Sequence, residues 1–413
     1  MKQAFQYKLL PSTNQRREIE RWLDMLRHQY NYLLGDRFNW WQYNRSDCVI
    51  PQGEFCQIAC TIGSGVLRDN PDWHSQSASL PALKKERPWY KDIYSQVLQD
   101  CVKRVKLAFD RYIQGDCKGK RSGRPRFKSK NRYRTFTFPQ AKDNWITNNK
   151  INFPKLGLIK FVCHRPIQEG FQIKTASITK KADGYYVTFI VEDKSVPEFV
   201  PDTRATKDNS LAIDLGLEKL YTDNLNNRVL PEKHLRKSED KLAKLQRKLA
   251  DNTRSSKAKK LIRRAIARLH QKIARQRKQW HYEEAKKLCQ KAKVIFIEDL
   301  KIANLRRKNK PKKVDGKYVD NGQTRKAGLN KSFSDCAITQ FVEILQHQAK
   351  KLGVVIVKLN PKNTSQVCWK CLNKVPKTLS DRWHECVSCN ESIDRDLNSS
   401  KLLLKLGLGI VSV

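Results

Sequence analysis

The period of apolar and polar positions changes several times along the chain, and each change marks an element. FQYKLLP (5–11) reads as a short strand, and past the turn residues PSTN the positions Ile19, Trp22, Leu23, Leu26 and Tyr30 recur at helical spacing. Residues 44–90, rich in Ser, Gly, Pro and Asp, read as irregular, and helical patterning returns from Ile93 to Tyr112, so this part is expected to be a helical bundle with an inserted loop. INF, GLIKFVCH, QIKTASITK and YYVTFIVED carry strand signals, with KADG as the turn of a hairpin and a small β-barrel or sheet as the economical product. PEFVPDTRATKDNS (197–210) reads as a linker.

Beyond the linker, LAIDLGLEKLYTDN is an apolar strand followed by a second short one, and residues 231–293 are helical with a break at DNTRSS. There Leu261, Ile262, Ala265, Leu269 and Ile273 form a stripe expected to pack as core, leaving a basic face outward. AKVIFIEDL has the continuous apolar run of a buried strand. The polar stretch 305–331 is too long for a simple connector and is expected to be disordered or a lid. Ile338, Phe341, Ile344 and Leu345 mark an amphipathic helix, and VVIVKLN a further strand.

Composition adds a partner to this α/β picture. Lys and Arg total 83 against 41 Asp and Glu, a formal charge of +42 on 413 residues. Such an excess calls for a polyanion, because self-repulsion otherwise weakens the compact state; nucleic acid leads, ahead of an anionic membrane surface. No apolar run approaches the roughly 20 residues that span a bilayer, and MKQAFQYKLLP lacks the apolar core of a signal peptide. No membrane partner and a cytoplasmic, nucleoid-associated protein are therefore expected.

Two segments concentrate the charge. Lys103 to Arg134 holds thirteen Lys or Arg against two carboxylates, and its Gly and Pro residues keep the backbone extended, so cations can follow phosphates. Lys257 to Lys278 holds ten Lys or Arg and no carboxylate. Arg124, Arg126, Lys128 and Lys130 in the first and Arg263, Arg264 and Arg268 in the second are the candidate nucleic-acid contacts, against the alternative of a solvated face.

Twelve cysteines thinly spread over so long a chain suit free thiols in a reducing compartment. Four differ: Cys368 and Cys371, then Cys386 and Cys389, form two CxxC pairs with fourteen residues between them. Each pair can aim two thiolates at one tetrahedral ion, so one structural zinc is expected. Three acids also ask for an explanation. Asp214 lies inside an apolar strand, Glu298 ends one, and Asp396 follows the cysteine pairs within DRD. A carboxylate in an apolar strand is costly unless paired or metal-bound. For Asp214 alone a hydrogen-bonded structural role serves equally well, but all three in a basic chain suggest convergence on two Mg2+ that cut phosphodiesters. Asp394, by contrast, reads as an exposed turn residue facing Arg395 or water.

In order, IDLGL, FIEDL, NTSQVCWKC with CVSC, and DRDLNSS resemble the RuvC nuclease of the transposon-encoded TnpB family, relatives of the type V CRISPR effectors, as do YKLLPSTNQ and GRPRFKSK. The resemblance implies an RNase H-like RuvC domain with a zinc ribbon, a wedge β-barrel and a helical recognition insertion. Its parts would fall at 1–12 (first wedge strand), 13–115 (recognition), 116–205 (wedge), 206–365 (RuvC), 366–391 (ribbon) and 392–413 (last RuvC motif and helix). It further implies a guide RNA from the transposon end and cleavage of double-stranded DNA beside a short adjacent motif. Asp214, Glu298 and Asp396 would be the catalytic acids holding two Mg2+, one activating water and one stabilising the leaving oxygen. A guided DNA-binding protein that does not cut, and a transposase acting by strand transfer, are the alternatives. Two departures stand out: Leu372 and Asn390 occupy places where the family commonly has Gly, and DRDxNAA becomes DRDLNSS. Asn tolerates a left-handed turn, and Leu less readily.

Overall fold

The computed structural model describes residues 2–45, 70–116, 119–195, 204–251, 253–378 and 381–411. They fall into two compact units, Met1–Pro197 and Glu198–Val413. Among the described residues no helix is long and apolar enough to cross a membrane.

The first unit opens with β1 (Lys2–Leu10), whose alternating Phe5, Tyr7 and Leu9 are buried. The chain then runs through the helices α1 (Thr13–Arg45), α2 (Trp73–Ala78), α3 (Leu80–Glu86) and α4 (Ser95–Ile113). Part of the stretch expected to be irregular is thus helical: Asp72 caps α2 by accepting from the Ser75 amide at 2.7 Å, and Pro81 opens α3. Residues 46–69 of that stretch lie outside the described residues. Next come β2 (Thr135–Phe138), β3 (Ile146–Thr147), β4 (Lys150–Phe153), β5 (Gly157–Val162), β6 (Gln172–Lys181) and β7 (Gly184–Glu192), which join β1 in one curled sheet of order β2-β6-β7-β1-β5-β4-β3. Ala182 and Asp183 turn the β6–β7 hairpin, and the Tyr186 hydroxyl donates to Asp183 at 2.8 Å. Trp22 of α1 packs on Phe136 and Phe138 of β2, joining helices and sheet in one core.

The second unit is built on a five-stranded sheet. Its first elements are β8 (Ser210–Leu215), β9 (Tyr221–Asp223), β10 (Arg228–Val229), α5 (His234–Lys237), α6 (Glu239–Ala250) and α7 (Ser256–Lys291). They are followed by β11 (Val294–Glu298), α8 (Ile302–Leu305), β12 (Lys312–Val314), β13 (Lys317–Val319), α9 (Gln323–Cys336), α10 (Ile338–Leu352) and β14 (Val355–Leu359). β15 (Trp383–Cys386), β16 (Glu391–Asp394) and α11 (Arg395–Gly407) complete it. The order is β10-β9-β8-β11-β14, with β8, β11 and β14 parallel.

Both faces of this sheet are covered, as a parallel core requires. On one face Leu211, Ile213, Leu215, Ile295 and Ile297 pack with Leu288 of α7 and Phe341 and Leu345 of α10. On the other, Ala212, Val294 and Phe296 pack with Leu403 of α11. α11 comes close: its Ser399 and Ser400 are fully buried, and a side chain at Gly407 would overlap the Phe296 ring.

One expectation fails here, and so does the disordered alternative of another, each for an identifiable reason. In the α7 stripe only Ile273 is buried and Leu261 is 58% exposed. Along that half α7 packs on α6, itself without a buried residue, so the two helices share a seam that neither closes. The stretch 305–331 is neither disordered nor a plain loop: β12 and β13 form a hairpin turned by Asp315 and Gly316, both at positive φ, and α9 follows.

Candidate metal centre and zinc ribbon

Strand alternation places two of the three acids. Side chains of a strand point to opposite faces in turn, so Ala212 and Asp214 share the α11 side of β8, as Val294, Phe296 and Glu298 share that side of β11. Asp214 and Glu298 stand one step past Ile297↔Ile213, the final pair of the parallel ladder, at the carboxyl ends where such sheets bind ligands. Asp396, in the first turn of α11, supplies the third carboxylate.

The three acids feel one another. Burial first, and then the negative charges of Glu298 and Asp396, hold the Asp214 carboxyl well above the usual carboxylate range. Glu298 is raised by burial, opposed by the Thr364 hydroxyl, which donates to its Oε1 at 2.5 Å, and reinforced by Asp396. Mutual repulsion marks the three as one electrostatic neighbourhood, whose charge a hard divalent cation would relieve, although among the described residues only the four cysteines described below bring their ligand atoms within 4.8 Å of one another. Not every buried acid here is of that kind. Asp223 is fully buried, but it accepts from the amides of Leu225 and Asn227 and from the Asn227 side chain, which accounts for its carboxylate within its own turn.

Asp394 corrects the expectation of an exposed turn. Its Oδ1 caps α11, accepting from the amides of Asp396 at 2.9 Å and Leu397 at 3.3 Å, and its Oδ2 lies 2.8 Å from the Lys219 ammonium. Burial pushes its carboxyl up, but Lys219 and Arg228 outweigh this and hold it below the ordinary value. Arg395, the expected partner of Asp394, instead approaches Asp396 at 3.5 Å and donates to the Asp381 carbonyl.

The two CxxC knuckles converge: all four sulfurs of Cys368, Cys371, Cys386 and Cys389 lie within 4.8 Å of one another, with Cys368–Cys389 at 3.6 Å and Cys371–Cys386 at 3.4 Å. A tetrahedron of thiolates about 2.3 Å from zinc has edges of about 3.8 Å, so the cluster fits that ion. His384 is buried beside Lys377 and does not belong to this cluster. Leu372 and Asn390, the residues after the knuckles, take left-handed φ of 65° and 55°. The conformation is the one Gly would favour, and Leu372 adopts it at a cost of about 1 kcal/mol. Leu372→Gly is therefore expected to raise the thermal midpoint of the zinc-loaded protein slightly, the greater freedom of Gly in the unfolded chain offsetting part of the gain; differential scanning calorimetry reads this directly.

The ribbon is keyed to the helix of the third acid. Fully buried Asn398 of α11 accepts from the Trp369 amide at 3.0 Å and donates to the Val367 carbonyl at 2.8 Å. Lys401 and Lys405 of the same helix lie over the Trp369 ring.

With this geometry the chain was compared with known proteins. Residues 1–46 match a family model described as a helix-turn-helix domain, 189–309 one described as "Probable transposase" of the OrfB_IS605 type, and 339–403 the Cas12f1-like TNB domain. A protein of Streptomyces pristinaespiralis named "Putative RNA-guided DNA endonuclease" is 26% identical, the alignment covering 99% of this chain and 90% of that protein. InsQ of Escherichia coli K12, similarly named, is 24% identical over 99% of this chain and 93% of its own. TnpB-like protein L79 of Acanthamoeba polyphaga mimivirus is 26% identical over 52% of this chain and 40% of its own. The chain is thus similar along nearly its whole length to proteins named as RNA-guided DNA endonucleases, and over about half of it to TnpB-like proteins. Among solved structures, a Cas12f1–sgRNA–target DNA complex aligns at 13% identity and a TM-score of 0.32, covering 99% of this chain and 100% of that one. The transposase match takes in the strands β8 to β11 of the second unit's mixed sheet, and the TNB match takes in β14, the cysteine ribbon and most of α11.

The two basic segments differ in how they are held. Residues 124–130 are docked on α1: Asn31 bonds both the amide and the carbonyl of Lys128, and Arg124 stacks on Phe38 at 4.1 Å. Arg126 and Lys130 are exposed beside them. Arg263, Arg264 and Arg268 lie on the exposed side of α7. Three residues of the acid site escaped sequence reasoning: Thr364 on Glu298, Lys219 on two acids, and Asn398 as the key to the ribbon. All three stood in stretches already singled out, Lys219 in LAIDLGLEKLYTDN, Thr364 in NTSQVCWKC and Asn398 in DRDLNSS, but the groups they bond lie far away in sequence.

Proposed function

We propose that the protein is an RNA-guided endonuclease that cleaves double-stranded DNA next to a short adjacent motif, using a guide RNA from the transposon end. The observation that carries this reading is the placing of Asp214 and Glu298 side by side at the carboxyl ends of parallel strands, with Asp396 of α11 near enough that burial, and then the charges of Glu298 and Asp396, raise Asp214. The names of the full-length relatives support it.

Asp214, Glu298 and Asp396 would hold two Mg2+, which when bound supply an activated water and charge stabilisation for the leaving oxygen. The chain's own contribution is placement. The ladder β8–β11 fixes Asp214 against Glu298, Thr364 orients Glu298, and the Asp394 cap sets the direction of Asp396. Guide pairing would read the sequence, and the basic surfaces at 124–130 and along α7 would follow phosphates irrespective of base. The four-cysteine cluster would take one structural zinc.

The test is to purify the protein with co-expressed RNA from the transposon end and to incubate it with a target library in Mg2+. Cutting of matched targets beside one motif is expected. Intact DNA where binding is demonstrated would sink the nuclease reading and leave a guided binding protein.

A further inference from the structure

Lys219 stands in the turn between β8 and β9, directly after the strand that carries Asp214. Its ammonium lies 2.8 Å from Asp394 Oδ2 and 3.1 Å from Asp396 Oδ2, and its side chain is only 18% exposed. The turn is tight: the Gly216 amide donates to the Leu220 carbonyl at 3.3 Å, which aims Lys219 back across the end of the sheet toward α11. On the opposite oxygen of Asp396 lies Arg395, at 3.5 Å.

An ammonium at this distance engages the lone pair with which a carboxylate oxygen would bind a divalent cation. We propose that Lys219 is a built-in counter-ion that holds Asp396 before metal arrives and sets the concentration at which a divalent cation takes that carboxylate over. Asp394 gives the ammonium a second seat, so Lys219 remains in the site when Asp396 turns to the cation. The role is that of a positioning residue, and it rests on the reading of Asp396 as a metal ligand.

The two seats make opposite predictions. Lys219→Met keeps length and loses charge, so Mn2+ should bind about tenfold more tightly, the effect of removing one close competing charge. Asp394→Asn keeps a residue able to cap α11 but leaves Lys219 only Asp396, so Mn2+ should bind more weakly. Lys219→Arg should stay close to the unchanged protein. The measurement is the free Mn2+ signal in electron paramagnetic resonance, titrated with zinc-loaded full chain and no nucleic acid. General loss of structure would weaken binding in every variant and could not produce the two signs. Unchanged or weaker binding in Lys219→Met overturns the proposal. Asp214→Asn, run alongside, should lose Mn2+ binding. If it does while Lys219→Met is unchanged, only the counter-ion role falls; if Asp214→Asn binds Mn2+ normally, the metal site falls and the counter-ion role with it.

Discussion

Asp214→Asn is expected to abolish cutting while leaving RNA bound. The substitution is nearly isosteric, so the β8–β11 ladder and the packing under α11 persist, but the carboxylate facing Glu298 and Asp396 is gone. Loss of several kcal/mol of charge stabilisation lowers the rate by about a thousandfold or more, which single-turnover cleavage of a matched target measures. The same variant separates activity from stability. Because the folded protein raises the carboxyl of Asp214, its contribution to stability is full below the unfolded value and is lost as pH rises through the folded one. At neutral pH, above the unfolded value, the raised carboxyl therefore costs the metal-free protein stability, and the neutral amide should raise its thermal midpoint. A variant that is inactive and also less stable than its parent would point to a structural Asp, and one that cuts normally would remove Asp214 from the mechanism.

That opposition of activity and stability explains why the acids were legible before the fold was. An acid within SLAIDL or at the end of VIFIE contradicts the apolar run around it, and period-2 alternation alone puts Asp214 and Glu298 on one face each. That the two faces coincide depends on the register of a parallel pair separated by some eighty residues, which local pattern does not contain. The cysteine knuckles were legible for the opposite reason, since each CxxC is a complete local geometry. Asp394 was misread because its neighbours in sequence are not its neighbours in space: Lys219 and Arg228 reach it from the β8–β10 region. The β12–β13 hairpin carried a visible Asp-Gly turn signal, but its strands are exposed on both faces and so lack the alternation that marks a strand. The α7 stripe shows the converse, a periodic pattern that overstated burial because the partner it meets there, α6, is slender and has no buried residue of its own.

Cys368→Ser is expected to release the zinc and, through the ribbon, to cost most of the cutting activity. A structural zinc contributes about 10–16 kcal/mol to the fold around it, far more than the hairpin β15–β16 can replace. The consequence reaches the acids by a defined route. Val367 and Trp369 flank Cys368, and their carbonyl and amide are the groups that grip Asn398, two residues beyond Asp396. When the knuckle opens, both bonds go and the first turn of α11 loses its reference to the ribbon. A displacement of about 1 Å at a reacting group is enough for about a hundredfold loss, so cutting should fall at least that far while Asp214 and Glu298 remain in register. Treating the unmodified protein with a zinc chelator should reproduce the loss. Asn398→Ala isolates the route: it keeps the four thiolates and the zinc but removes both bonds, and its activity should lie between the parent and Cys368→Ser. Metal analysis and unfolding midpoints accompany the cleavage rates. Should Cys368→Ser retain its zinc and its midpoint, the cluster is not the site; should Asn398→Ala cut at the parent rate, the ribbon stabilises the unit without positioning Asp396.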